Sequence, residues 1–405
     1  LSEVDATPST GGRAGSALEV LGAFLKLGLS SFGGPVAHLG YFRAEFVERR
    51  RWLDDRSYTD LVALCQFLPG PASSQVGMAL GLSRAGWLGA LAAWCGFTLP
   101  SAFVLIVFAY GIAQWGALAG SGAVHGLKVA AVAVVAQAVW GMAKNLCPDR
   151  ARAGMAIVAA LLVLALPTAW SQVAVIALAG VIGWRLLKLP HQQAVAHEGY
   201  GVSRAAGSVA LVLFALLLAG LPLLAMATHS LAWTVVDGFF RAGALVFGGG
   251  HVVLPLLQAV VVPARVVTNE QFLAGYGAAQ AVPGPLFSFA AYLGAVMHGP
   301  FSGWTGGLLL LVVLFLPAFL LVVGALPFWD ALRQRDAVQS AMAGVNAAVV
   351  GILLAALYDP VWTSAIRSRA DFATALAAFG LLVYARVSPL VVVLLAAAAG
   401  WAFLG

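Results

Sequence analysis

Continuous apolar runs, with no alternation, organise this chain. Uncharged stretches cover residues 61–83, 85–127, 153–184, 205–228, 271–329, 337–358 and 387–405. A run of about 20 apolar residues crosses the hydrocarbon core as a helix. Continuity of the runs excludes a transmembrane β-barrel, whose strands alternate. The pattern predicts an all-α polytopic membrane protein. It also shows breaks: "SSFGGP" (30–35) closes the run "LEVLGAFLKLGLS", and "LVFGGGHVVLP" (245–255) does the same much later. "LPGP" (68–71) and "VPGP" (282–285) interrupt two further runs.

The breaks come in register. Phe32-Gly33-Gly34 repeats as Phe247-Gly248-Gly249, 215 residues on, and Gln66 with its PGP repeats as Gln280 with its own, 214 on. Gly86-Trp87 and Leu99-Pro100 recur as Gly303-Trp304 and Leu316-Pro317, and Gly126 as Gly344. An internal repeat read this way sets the architecture. Each copy predicts a helix ending in FGG, a polar loop, a helix interrupted by PGP, a long helix with a mid-run Pro, a fourth helix and a closing pair. That is about six segments per copy. Residues 205–228 form one further segment that matches neither copy. Six crossings and one more start the second copy from the opposite face, so the repeats are expected to be inverted, a layout of many secondary transporters. The expected divisions are a polar tail at 1–17, a first repeat at 18–190, a linker and connecting helix at 191–229, and a second repeat at 230–405. The tail lacks the features of a signal peptide. Whether the FGG and PGP helices span or re-enter is left open.

Composition agrees with the pattern. Of 405 residues 61% are hydrophobic and 9% charged, against about 25% charged in soluble domains. The net charge of +6 is spread over short loops, which fits loop orientation and not nucleic-acid binding. Cys65, Cys95 and Cys147 show no metal or disulfide spacing. With thirteen crossings, one face collects Arg13, Arg84, Lys144, Arg150, Arg152, Arg185, Lys188, Arg204, Arg265, Arg333, Arg335 and Arg386. The other collects the Arg-rich loop 43–56 with Arg367 and Arg369. This favours the N-terminal face as cytoplasmic, and the loop argues the other way.

Backbone breaks are costly inside a bilayer unless protein or a wet cavity satisfies the freed groups. Glycine lets a ligand approach the backbone, and free N–H groups at a following helix start attract anions. After Pro69, Gly70 and Pro71 a new helical piece begins with Ser73, Ser74 and Gln75. After Pro283, Gly284 and Pro285 only Ser288 is offered, between Phe287 and Phe289. Kinks for tight helix crossings are the bland alternative. Lys26 and Arg241 each precede a glycine break by seven residues, and intramembrane cations are candidate functional groups or snorkel to the interface. Asp237 is placed to pair with Arg241 at i,i+4; Lys26 has Gly22 there. Lys128, with Asn346 opposite it in the repeat, is a second cation on an apolar run. His38 and His251 follow the GG breaks at different registers and suit either proton coupling or a structural hydrogen bond.

"FGGPVAHLGYF", "WLDD", "QFLPGP" and the second "FGGG…VPGP" resemble the chromate ion transporter family in its two-domain, long-chain form, over about residues 18–405. The resemblance implies export of chromate from the bacterial cytoplasm, with sulfate as a competing look-alike, driven by the membrane gradient and not by ATP, and no cofactor. Carried over, the motif positions are Phe32, Gly33, Gly34, Pro35, His38, Trp52, Gln66, Pro69, Gly70 and Pro71, then Phe247, Gly248, Gly249, Gly250, Pro283, Gly284 and Pro285. Gly250 stands in place of Pro35, and nothing matches Trp52. Residence is then a bacterial inner membrane, with a homo-oligomer left open. The chain has no P-loop. Moving two charges across about 100 mV is worth about 4.6 kcal/mol, so uniport is feasible and proton antiport is not required. Rival readings are a sulfate or other oxyanion transporter, a channel, and an intramembrane lipid-phosphate enzyme, for which the base and nucleophile pairing is not evident.

Overall fold

The computed structural model describes residues 15–31, 34–114, 122–166, 169–187, 202–246, 253–329 and 335–403. All regular structure among them is helical. In the first copy α1 is Ala17–Ser30, α2 Gly34–Phe42 with a wider-wound turn Arg43–Arg49, and α3 Asp55–Phe67. Helix α4, Ala72–Gln114, bends at Ala85–Gly86 into a short arm (72–84) and a long arm (87–114). Then come α5 Gly122–Leu146, α6 Arg150–Ala165, α7 Ala169–Leu186 and the connecting α8 Arg204–Thr228. The second copy repeats the series as α9 Leu231–Ala244, α10 Val253–Val261, α11 Asn269–Ala281, a 3-10 turn Leu286–Ser288 and α12 Phe289–Val296. It closes with α13 Gly303–Ala325, α14 Asp336–Ala356, α15 Arg369–Val383 and α16 Pro389–Phe403.

The FGG and PGP helices re-enter. At 1.5 Å per residue, the 14 residues of α1 and 13 of α3 reach about 20 Å, short of the roughly 30 Å core. Helix α1 starts where Gly15 N–H donates to Arg84 O at 3.0 Å. It runs against the long arm of α4, with Gly28 close to Gly96 O. Helix α2 then returns beside it: Lys26 pairs with Glu45 at 3.6 Å and Glu19 with Arg50 at 3.8 Å. Arg50 and Arg84 both lie over the Trp52 ring, at 5.6 and 5.3 Å. Helix α3 leaves from that same side, where Arg43 pairs with Asp55 at 2.7 Å, and the short arm of α4 comes back to it. Both hairpins of the first copy therefore open on one face, called face one.

The second copy is upside down. The long arm of α4 packs antiparallel on α13: Trp87 meets Phe319, Trp94 meets Phe315 and Phe103 meets Trp304, at 6.2, 5.7 and 5.4 Å between rings. At the far end Tyr110 Oη lies 2.6 Å from where a Cβ on Gly303 would stand. The hairpins α9–α10 and α11–α12 open there, on face two, where His298 N–H donates to Val266 O at 2.9 Å. Re-entry removes two crossings from each copy, an even number, so the parity that inverts the repeats survives. Among the described residues, five helices are long and apolar enough to cross: 72–111, 125–144, 204–228, 303–328 and 336–359. The window of α8 is only 6% buried; it is a peripheral span whose work is to change sides.

The closing pairs are exchanged between copies. Helices α6 and α7 pack on α14, with Gly183 against Gly344, and α16 packs on α5, with Gly400 against Gly126. Small residues let these backbones approach.

Re-entry corrects the charge count. The Arg-rich segment 43–56 belongs to the same face as Arg84. Among the described residues, face one gathers Arg43, Arg49, Arg50, Arg51, Arg56, Arg84, Lys144, Arg150, Arg152, Arg185, Arg204, Arg335 and Arg386, and face two only Arg265, Arg367 and Arg369. In a variant lacking the three native cysteines, single cysteines at 51 and 150 should react with an impermeant thiol reagent from one side and a cysteine at 263 from the other. Labelling of 51 and 150 from opposite sides would restore thirteen crossings.

Candidate functional site

The hairpin tips of the two copies meet, and each satisfies the other. Gly70 N–H donates to Val246 O at 2.6 Å, and Gly284 N–H donates to Ser31 O at 2.9 Å. These bonds are repeats of one another, since 70 aligns with 284 and 31 with 246. Both glycines have positive φ, +124° and +100°. Both are also hemmed in by the other copy: a Cβ at Gly70 would stand 3.1 Å from Ala318 Cβ, and one at Gly284 3.0 Å from Ser101 Oγ. Proline on either side removes competing donors and frees carbonyls, one of which, Pro69 O, accepts from Gln75 Nε2 at 2.8 Å.

Helix starts converge on this crossing. Helix α2 begins at Gly34, φ +81°, and α4 at Ala72; the second copy supplies the starts of α10 and of the turn before α12. Each brings unbonded N–H groups and the positive end of a helix dipole.

The backbones are equivalent and the side chains are not. The first copy sets Ser31, His38, Ser73, Ser74, Gln75, Thr98 and Ser101 here, all at most 3% exposed. Repeat alignment puts Val246, Val253, Phe287, Ser288, Phe289, Phe315 and Ala318 at the matching positions, also buried. His38 Nδ1 lies 3.4 Å from Ser73 Oγ, and its ring stands edge-on to Phe97 at 5.2 Å. Ser101 Oγ donates to Thr98 O at 2.9 Å. Ser31 Oγ, His38 Nε2, Ser74 Oγ, Gln75 Oε1 and Thr98 Oγ1 find no hydrogen-bond partner within the described chain. Each such buried group costs about 1–3 kcal/mol; five around one crossing mark a place built to hold polar matter. In the second copy, Phe287 and Phe315 fill the equivalent space ring to ring, at 5.7 Å.

The other expected site residues fall differently. Pro35 and Pro71 lie in the tips beside Gly34 and Gly70, and Pro283 and Pro285 beside Gly284. Phe32, Gly33, Phe247, Gly248, Gly249, Gly250 and His251 lie outside the described residues. Gln66 is exposed, whereas its repeat Gln280 is half-buried with Nε2 unpartnered. Lys26 has its side chain 59% exposed and Glu45 beside it, so the structure gives it a partner from α2 where its own helix has Gly22. Arg241 is bound to Asp237, the expected i,i+4 pair. Lys128 is buried on α5, which presses on α11 at Gly277; Glu270 and Arg367 are the charges within its reach. Asn346 Oδ1 is unpartnered on α14. Ser31, Thr98 and Ser101 are the additions. Comparing the copies position by position, polar against Phe or Ala, is the signal that finds Thr98 and Ser101.

At the face-one rim, burial alone would raise the Glu45 carboxyl, but hydrogen bonds from Arg50 and Arg49 and the charge of Lys26 outweigh it and hold the group below the usual carboxylate range. A depressed carboxyl contributes stability above its unfolded pKa and loses it as pH falls through the folded value. The α1–α2 hairpin should therefore loosen in acid below about pH 4, and Glu45→Gln should lower the melting temperature at neutral pH while flattening that acid dependence. Equal melting curves for variant and parent across the range would deny Glu45 this role. Separately, Arg241→Gln should reduce protein level by stranding buried Asp237, and Asp237→Asn in the same chain should recover it, as read by quantified membrane protein.

The description "Chromate transporter" belongs to the family model that matches residues 18–184 and again 233–401. The two matches are the two copies. A chromate transport protein of Pseudomonas aeruginosa is 30% identical over 407 aligned residues, covering 95% of this chain and 91% of its own length. A probable chromate transport protein of Synechococcus elongatus is 26% identical, covering 82% of each chain. A chromate transport protein of Cupriavidus metallidurans is 27% identical, over 88% and 84% of the two chains. No solved structure matches the chain.

Proposed function

The chain belongs to the chromate transporter family and is a multi-pass membrane protein. We propose that it exports chromate from the bacterial cytoplasm across the inner membrane, and so gives chromate resistance, by holding the anion at the crossing of the four hairpins. The observation that carries this reading is the cluster of buried, partnerless polar groups in the first copy, set where helix N-termini converge. A tetrahedral dianion takes donors from several directions, and hydroxyls, an imidazole and backbone N–H groups supply them without metal or nucleotide. The lysine and arginine excess on face one makes that face cytoplasmic by the positive-inside bias. Sulfate offers the same shape and charge, and competes in this reading.

Inverted vesicles with pH gradient and potential set separately test it. They should accumulate labelled chromate, and an excess of sulfate should slow this. Absence of chromate flux in every gradient, with sulfate carried instead, would make this a sulfate transporter; absence of both would end the oxyanion reading. Within the site, a hydrogen bond to a charged ligand is worth about 1.5–3 kcal/mol. Ser73→Ala, Ser74→Ala and Thr98→Val should then each weaken binding about 10- to 100-fold. Phe287→Leu and Phe315→Leu should change it little. Equal losses in both copies would replace one anion site by two.

A further inference from the structure

We propose that the anion and a proton occupy the site together, the proton on His38. This rests on the oxyanion reading above and adds to it the identity of a group that balances charge.

A dianion in a dry site needs compensating charge or it does not leave water. Helix ends supply partial charge only. Lys26 has an exposed side chain and is paired with Glu45. Arg241 is held by Asp237. Lys128 sits against α11 with Glu270 in reach. Among the described residues that leaves His38, which is 1% exposed. It reaches the Ser31 backbone and Ser73 Oγ with one side of the ring, and Nε2 has no partner in the chain.

The elements packed around it bring no opposing charge. Helix α1 offers Ser31; the short arm of α4 offers Ser73 and Gln75, and the long arm Phe97 and Thr98. From α3 come the buried Cys65 and Tyr58, whose hydroxyl is spent on Leu39 O at 2.6 Å. Among the described residues no carboxylate faces the ring. No charge among the described residues therefore holds a second proton on His38, and a dianion lying against Nε2 does. The step makes and breaks no covalent bond beyond N–H: a proton from solvent enters with the anion and leaves with it.

Titration calorimetry of the purified full chain with chromate, on the alkaline side of neutrality where chromate is a dianion, counts the protons. Runs in two buffers of different ionisation enthalpy should give about one proton taken up per anion bound, and the apparent Kd should rise about tenfold per pH unit. Ser73→Ala should bind less tightly and keep the proton. His125→Gln, altering a histidine paired with Asp371 on α15, should keep it too. His38→Gln should bind weakly with no proton uptake. Wild-type binding without proton uptake overturns the proposal, as does undiminished uptake in His38→Gln. If that variant does not fold, the wild-type count alone decides. If the wild type binds neither chromate nor sulfate, the oxyanion reading itself falls, and the proton assignment with it.

Discussion

A backbone broken inside a bilayer has to find partners for the groups it frees, and here each break finds them in the other half of the molecule. Gly70 N–H is satisfied by Val246 O and Gly284 N–H by Ser31 O. This constraint accounts for much of the rest: the inversion, which brings tips from opposite faces to one depth; the antiparallel contact of the long arm of α4 with α13 that holds them there; and α8, a nearly unburied span whose position changes the side from which the second copy starts. The exchange of closing helices, α6 and α7 on α14 and α16 on α5, ties the halves a second time.

Symmetry of the backbone has been kept while symmetry of the chemistry has not. The scaffold demands glycine at 70 and 284 in both copies, because both positions have positive φ and a neighbour where a Cβ would go. It makes no demand on the side chains at 73, 98 or 101, or on 287, 315 and 318. There the first copy became polar and the second aromatic or small. A chain with two equivalent polar sites would bury about twice the unpartnered polar surface at one depth. Filling one with Phe287, Phe289 and Phe315 replaces that cost with packed apolar area.

The repeat, the breaks and the inversion were legible because they are written in glycine, proline and parity, which are local features. Re-entry was not: an uncharged stretch such as 61–83, with PGP inside it, looks the same whether the chain crosses or turns back at the break. The decision lies in contacts distant in sequence, such as Arg84 over Trp52 and Glu45 beside Lys26. The same misplacement sent the segment 43–56 to the wrong face. Seven-residue spacing put Lys26 and Arg241 in one class, and the structure separates them by the origin of their acids, Glu45 across the hairpin and Asp237 one turn back. Thr98 and Ser101 were legible in principle, since their repeats are Phe315 and Ala318, but only after the repeat had been aligned beyond its motifs.

Charge stoichiometry follows from the site. A bare dianion leaving a negative interior moves two charges and gains about 4.6 kcal/mol at 100 mV. With a proton on His38 the loaded site carries one net charge less, and the electrical gain falls to about 2.3 kcal/mol. A proton travelling outward with the anion also runs against an inward proton gradient. Export with the proton retained through the cycle would therefore be weak, and export with the proton shed before the site turns outward would leave a dianion to cross unbalanced. Charge balance at the crossing and electrical drive across the bilayer therefore pull against one another: the proton that lets a dianion enter a buried site is the same charge that halves what the membrane potential returns for moving it.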